Sequence, residues 1–289
     1  QRTGLMTRLR RWRMRNAITG RSYNTVIHAG YTTDPVGHEL CRDVKAGHKY
    51  WYAVPNSPDA GFYDNLVSVD AAAHELDKYR ALVGAVCGET VPGRESMYPD
   101  LCLDKTERGK AVATAGEARR WKQGALLLAL CAGARFRRKD WSGEHFVELL
   151  RRLASDRPLC ALLVGGLEDR NKHAALRSQL ESARDLHIVD MAGKLTPREA
   201  AAVIGECDLC VGNDTFGLHA AVAAGTPSVV IMGGGDYPRW IPWRNPERHR
   251  MVVREMDCFG CGWECRYDDY HCVRGITVDE VMREIQMAL

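Results

Sequence analysis

The chain contains no apolar run approaching the ~20 residues that a membrane-spanning helix needs, and its basic N-terminal stretch lacks the apolar core of a secretion signal. Net charge is only +3 over 289 residues, too even a balance for a dedicated nucleic-acid binder, and no series of base-stacking aromatics is present. No nucleic acid is therefore expected as a partner. The 45% hydrophobic and 27% charged fractions are those of a soluble globular protein. Such a length is long for one hydrophobic core, so two domains are expected. Cysteine, by contrast, is plentiful, with 11 copies. Seven stand singly in helix or strand patterns (Cys41, Cys87, Cys102, Cys131, Cys160, Cys207, Cys210) and read as buried thiols in a reducing compartment. The expected location is the cytoplasm.

Residues 1–24 carry seven arginines around Leu5, Met6, Leu9, Trp12 and Met14. Two readings are open: a flexible, solvated arm, or a basic amphipathic helix giving peripheral contact with an anionic membrane face. Residues 25–120 read as a small α/β unit. Strands are expected at Thr25 to Ala29, Tyr50 to Val54 and Asn65 to Val69, and a helix at Gly37 to Gly47. His74 to Val86 reads as an amphipathic helix with Leu76, Tyr79, Leu82, Val83 and Val86 on its buried face. A polar helix at 105–123 is expected to link the halves.

Residues 121–289 are more regular. Strands are expected at Ala125 to Cys131, Leu159 to Val164, His187 to Met191, Leu209 to Gly212 and Ser228 to Met232, with helices between them. Thr196-Pro197-Arg198-Glu199 and Thr277 to Glu280 are capping boxes that open two of those helices. Alternating strands and helices imply a parallel sheet, whose ligands bind beyond the carboxyl ends of the strands.

Those strand ends carry the chemistry. Asp214-Thr215-Phe216-Gly217-Leu218-His219 joins a strand to a small-residue helix. The free N–H groups and dipole of a helix start favour an anion there; an ordinary turn with Asp214 as N-cap is the plain alternative. Thr215 adds a hydroxyl donor, Gly217 allows close approach of backbone, and His219 can donate to a phosphate oxygen. Arg135, Arg137, Arg138 and Lys139 place four cations in five residues after another strand, which suits a pyrophosphate. Glu168, after Gly165-Gly166-Leu167, can accept from both hydroxyls of a ribose. Gly233-Gly234-Gly235 leaves room for a ligand or a neighbouring segment, or makes a turn. Finally, Cys258, Cys261, Cys265 and Cys272 have the spacing of a tetrahedral zinc or iron site within a loop over 258–272. Disulfides are the alternative.

Taken in order, these features resemble glycosyltransferase family 9, the ADP-heptose-dependent heptosyltransferases, most strongly from about 121 onward. The resemblance implies an α/β protein of the GT-B arrangement: two Rossmann-like domains facing a cleft, the N-terminal one here short, with the nucleotide sugar on the C-terminal domain. It gives Lys139 the diphosphate, Glu168 the ribose, and Leu195 the adenine. Asp214, Thr215, Gly217 and His219 form the phosphate turn, although Phe216 stands where the family has glycine. It also implies inverting transfer from a nucleotide sugar such as ADP-heptose to a lipopolysaccharide-core hydroxyl. Asp34, in the loop after the first strand, is the positional candidate for the general base, and a turn residue before Pro35 is its plain alternative. A protein hydroxyl is the second acceptor reading, because the related autotransporter heptosyltransferases hold iron with four cysteines. A catalytically silent GT-B scaffold with a metal-stapled surface is the third.

Overall fold

The computed structural model describes residues 12–30, 35–97, 99–241, 245–267 and 269–289. The chain divides into two compact units, Gln1–Met97 and Tyr98–Leu289.

The first unit holds a three-stranded parallel sheet in the order β1 (Ser22–Ile27), β2 (Lys45–Tyr52), β3 (Asn65–Val67). Val26 stands beside Lys49, and Trp51 beside Leu66. Helix α1 (Pro35–Asp43) connects β1 to β2, and α2 (Glu75–Cys87) follows β3. Residues 12–19 are helical, and Ile18 shares a small apolar cavity with Tyr23, Val26, Leu40 and Val44. Arg15 pairs with Asp43 at the end of α1. The described part of the basic arm is therefore docked on the unit it precedes, and β1 begins within the stretch read as arm.

Helix α2 buries a different face from the one its apolar spacing predicts. Glu75, Lys78 and Leu82 are buried, while Val83 is exposed. Lys78 Nζ lies 3.1 Å from Glu75 Oε1, one helical turn away, so each charge offsets the other's desolvation. A hydrophobicity pattern cannot register a buried pair of opposite charges.

The boundary between units falls at 97/98 and not near 120 because helix α3 (Lys105–Arg119) belongs to the second unit. Ala111, Ala115 and Ala118 of α3 are buried in one cluster with Ala200 to Ile204 of another helix. Arg198 pairs with Glu107, and Lys110 donates to Glu199 at 2.6 Å.

The second unit is built on six parallel strands: β4 (Leu126–Cys131), β5 (Leu159–Leu163), β6 (Leu186–Asp190), β7 (Leu209–Asn213), β8 (Ser228–Met232) and β9 (His249–Val253). Their spatial order is β6-β5-β4-β7-β8-β9. The edge strand β9, with polar His249 and Arg250, has no counterpart in the sequence reading. Five helices pack around this sheet besides α3: α4 (Gly143–Asp156), α5 (Arg170–Leu180), α6 (Pro197–Gly205), α7 (Phe216–Ala224) and, after a short α8 (His271–Arg274), the terminal α9 (Val278–Ala288). Both expected capping boxes are present, at Thr196 with Glu199 and at Thr277 with Glu280.

Strand β4 is buried on both faces. Leu126, Leu128 and Leu130 point into a core with Phe146, Leu149 and Ile285. Leu127, Ala129 and Cys131 point into the other, among the alanines of α3, α6 and α7. This alternation is the period of two of an extended chain. Each fully buried leucine contributes about 1.5–3 kcal/mol.

Candidate functional site

The strand order fixes where a ligand can enter. From β4 the chain builds outward through β5 to β6, then returns to the other side of β4 to lay down β7, β8 and β9. Loops leaving β4 and β7 therefore diverge to opposite sides and open a crevice at their carboxyl ends, the topological switch point of a doubly wound sheet. A cavity of about 640 Å³ lies there. Glu168, Leu195, Thr215, Phe216 and Gly217 line it, together with Arg135 from the loop after β4.

One wall is the start of α7. Thr215, not Asp214, is the residue before the helix. Its hydroxyl donates to Asn213 O at 3.3 Å, and no side chain caps the helix. The first turn of α7 thus presents its backbone N–H groups at the cavity, where the helix dipole favours negative charge. Gly217 carries a second duty: a Cβ there would stand 2.2 Å from Cys131 Sγ. Phe216 is 47% exposed beside the opening.

The opposite wall is the loop after β5. Gly166 leaves space for the Glu168 carboxylate, which a Cβ at 166 would meet at 2.4 Å. Asp169, which the sequence reading passed over, accepts from Gly166 N at 2.8 Å and packs against Gly133 and Gly165. Asn213 ties the wall on β7 to the loop after β4. Its amide donates to Ala132 O at 2.8 Å and accepts from Trp141 N at 3.1 Å.

Beside the cavity, Lys139 Nζ lies 2.7 Å from Asp214 Oδ2 and 3.0 Å from Asp236 Oδ2. Burial opposes the charge on Lys139, but the two carboxylates outweigh it and raise its pKa above the ordinary value. Lys139 is therefore cationic at neutral pH. Asp236 is also half-buried. Trp263 and Lys139 overcome that burial and lower its pKa. His219, on α7, has its pKa lowered by burial first and by Lys139, against the pull of Asp214. Its neutral form is thereby favoured. The structure thus brings Glu168, Leu195, Thr215 and Gly217 to one cavity, with Lys139 and Asp214 paired at its side and His219 on the same helix. Asp34 lies outside the described residues.

The glycine run at 233–235 has a structural explanation: it seats the cysteine-bearing loop. A Cβ on Gly234 would stand 2.1 Å from the Phe259 ring, and one on Gly235 2.2 Å from the Trp263 ring. Gly260 N donates to Gly234 O at 2.8 Å, and Gly262 N to Gly235 O at 3.1 Å. All eleven cysteines are free thiols; of the seven that stand singly, Cys87 and Cys102 are exposed and not buried as their helix or strand setting suggested. Burial raises the pKa of Cys272, and Cys258, Cys265 and Cys261 raise it further. The four thiols share a neighbourhood, yet among the described residues no group of three or more His, Cys, Asp or Glu side chains is arranged to hold a metal ion. No described helix is long and apolar enough to cross a membrane.

A doubly wound parallel sheet with an uncapped helix start and an acidic residue at one switch-point cavity, and a buried lysine at its side, places the chain in the doubly wound class of α/β proteins. The comparisons with known proteins narrow this class. The chain belongs to glycosyltransferase family 9 (heptosyltransferase), whose model matches residues 11–271. It is 22% identical over 167 residues to lipooligosaccharide heptosyltransferase 2 of Campylobacter jejuni, a match covering 57% of this chain and 52% of the relative. It is 30% identical over 127 residues to lipooligosaccharide heptosyltransferase 2 of Haemophilus influenzae, covering 42% and 36%. The matched region spans about half the length of the first of these curated relatives. The fold is similar to that of Escherichia coli ADP-heptose lipopolysaccharide heptosyltransferase II, with a TM-score of 0.66 and 17% identity over 96% of this chain and 80% of that one. A family 9 glycosyltransferase from Veillonella parvula gives 0.65 and 16%, over 96% and 76%.

Proposed function

We propose that this protein is an inverting glycosyltransferase that moves a heptose from ADP-heptose to a hydroxyl of a lipopolysaccharide-core sugar. The observation that carries the reading is the meeting of Glu168, Arg135 and the start of α7 at the switch-point cavity, with the Lys139–Asp214 pair at its side. The names of the family relatives supply the sugar and the acceptor class.

In this reading the second unit binds the donor and the first unit binds the acceptor. Glu168 accepts from the ribose hydroxyls, and Leu195 packs on the adenine. The N–H groups of α7, Thr215 and His219 receive the phosphates. Lys139 and Arg135 supply positive potential as the diphosphate leaves. The acceptor oxygen forms a bond to the anomeric carbon as the bond to the diphosphate oxygen breaks. The transition state is oxocarbenium-like, so charge stabilisation on the leaving group lowers the barrier. The acceptor proton passes to a carboxylate, and Asp34 is the candidate by its place after β1.

Two finer parts accompany this reading. A metal held by Cys258, Cys261, Cys265 and Cys272 is supported by their spacing and shared neighbourhood, and elemental analysis of protein purified without added metal tests it. Peripheral contact of the basic arm with an anionic membrane is supported by its seven arginines, and salt-dependent liposome binding tests that.

The principal experiment is donor turnover. ADP-heptose with a heptose-bearing core acceptor should give ADP and a product of inverted anomeric configuration. Asp34→Asn should slow transfer by about 10²–10⁴-fold while donor affinity stays within a few-fold. Retention of configuration, or no turnover of any nucleotide sugar, would overturn the proposal.

A further inference from the structure

The loop over 258–272 reaches the diphosphate side of the site through one residue, Trp263. Its ring lies over two cations of the turn after β4: Lys139 Nζ is 5.5 Å from the ring centroid, and the Arg138 guanidinium 5.4 Å. Asp236 holds Lys139 at 3.0 Å. Trp263 therefore contacts the cation of an ion pair that lies beside the cavity.

Its own placement is heavily constrained. Gly233 and Gly235 are cut back to hydrogen where the indole packs, with a Cβ at 2.9 and 2.2 Å from the ring respectively. The backbone of Trp263 is in the left-handed region, φ 70°, which a bulky side chain avoids unless its surroundings impose it. The preceding Gly262, also at positive φ, is tied to Gly235 by a hydrogen bond. A conformation that costs free energy is thus maintained by a glycine shelf and backbone hydrogen bonds, and its outcome is an indole face set against two cations.

We propose that Trp263 is a positioning residue for Lys139: the cysteine-bearing loop presses an aromatic face onto the Arg138–Lys139 pair, so that the lysine ammonium is fixed where a nucleoside diphosphate arrives. The proposal rests on the donor-site reading above. It also assigns the loop a role in donor binding that does not depend on what, if anything, the four cysteines coordinate. Trp263 does not touch substrate in this scheme. It acts through the lysine, by a cation–π contact.

The test is a double-mutant cycle read by calorimetry with ADP on the full chain. Trp263→Ala should weaken ADP binding by about two- to thirty-fold, the span of a cation–π contact from an exposed to a desolvated site. Trp263→Phe keeps a ring on the glycine shelf and should recover most of that loss. In a Lys139→Ala background, Trp263→Ala should have no further effect, because its target is gone. An equal loss in both backgrounds would mark Trp263 as a structural residue only and overturn the proposal, as would unchanged affinity in Trp263→Ala alone. If Lys139→Ala itself leaves ADP affinity unchanged, the donor-site reading fails and the proposal falls with it; an effect of Lys139→Ala without one of Trp263→Ala removes the positioning role alone.

Discussion

Gly217 and Cys131 are in closer contact than any residue with a side chain at 217 would allow. A Cβ on Gly217 would lie 2.2 Å from Cys131 Sγ and 2.7 Å from Cys131 Cβ. The first turn of α7 can lie against the end of β4 only because position 217 has no side chain, and the cavity sits on that junction. Gly217→Ala should destabilise the protein by about 1–3 kcal/mol, the usual cost of an overpacked core. Chemical denaturation checks this. Cys131→Ala removes the nearer of the two contacts, so the cost of Gly217→Ala should be smaller in that background.

Lys139 is the cation most firmly built into the site, with its side chain 18% exposed between Asp214 and Asp236. Lys139→Ala should weaken ADP binding by about 1.5–3 kcal/mol, the range for a hydrogen bond to a charged group. It should also lower stability, because Asp214 is left buried without its cation. Calorimetry and thermal unfolding on the same sample separate the two effects.

His249 predicts a loss of stability in mild acid. The residue is 2% exposed, and its Nδ1 lies 3.0 Å from Ser228 Oγ. Burial, reinforced by Arg248, depresses its pKa to about 4. The unfolded chain binds a proton near pH 6.5 and the folded chain does not, so stability is full above that pH. It falls as pH drops from 6.5 toward 4, and flattens below. The contribution at stake is on the order of 3 kcal/mol. Urea titrations of the wild type and His249→Gln at pH 7 and pH 4.5 should show a smaller acid loss in the variant.

The Glu75–Lys78 pair in α2 makes the first unit sensitive to single charge removal. Both side chains are 2% exposed. Lys78→Met leaves a buried carboxylate without that partner and should cost about 3–5 kcal/mol, whereas the double change Glu75→Leu with Lys78→Met should recover much of it. Unfolding midpoints of the three variants measure the difference.

Much of the second unit is legible in its sequence because its determinants are local. The continuous apolar run of β4 reads directly as a strand buried on both faces, and the Thr196 and Thr277 caps announce their helices. Glu168, Thr215 and Gly217 could be named because the loops that carry them follow those strands, whereas Leu195 came from the family resemblance alone and Asp169 was passed over. Contacts across the fold were not legible. Asp236 and Trp263 gain their meaning only when the loop over 258–272 folds back on Gly233–Gly235. Strand β9 escaped because a sheet edge tolerates His249 and Arg250, which spoil the apolar pattern. The buried face of α2 was read only in part: Leu82 is in the core as its spacing suggests, but the buried Glu75–Lys78 pair beside it leaves no mark in an apolar pattern.

The two sides of the six-stranded sheet will not accept mutations at the same rate. One side is lined by leucine, isoleucine and phenylalanine, the other largely by alanine from α3, α6 and α7. Large side chains can exchange for one another at nearly constant volume, so the first side can drift through many combinations. An alanine pressed against a strand has no smaller neighbour in sequence space but glycine, and no larger one that fits. That side also carries Cys131 and the helix whose start faces the cavity. The edge of the sheet that opens into the cavity is thereby held by the part of the core with the fewest permitted alternatives. A library randomised over both cores should return variants mainly from the leucine side.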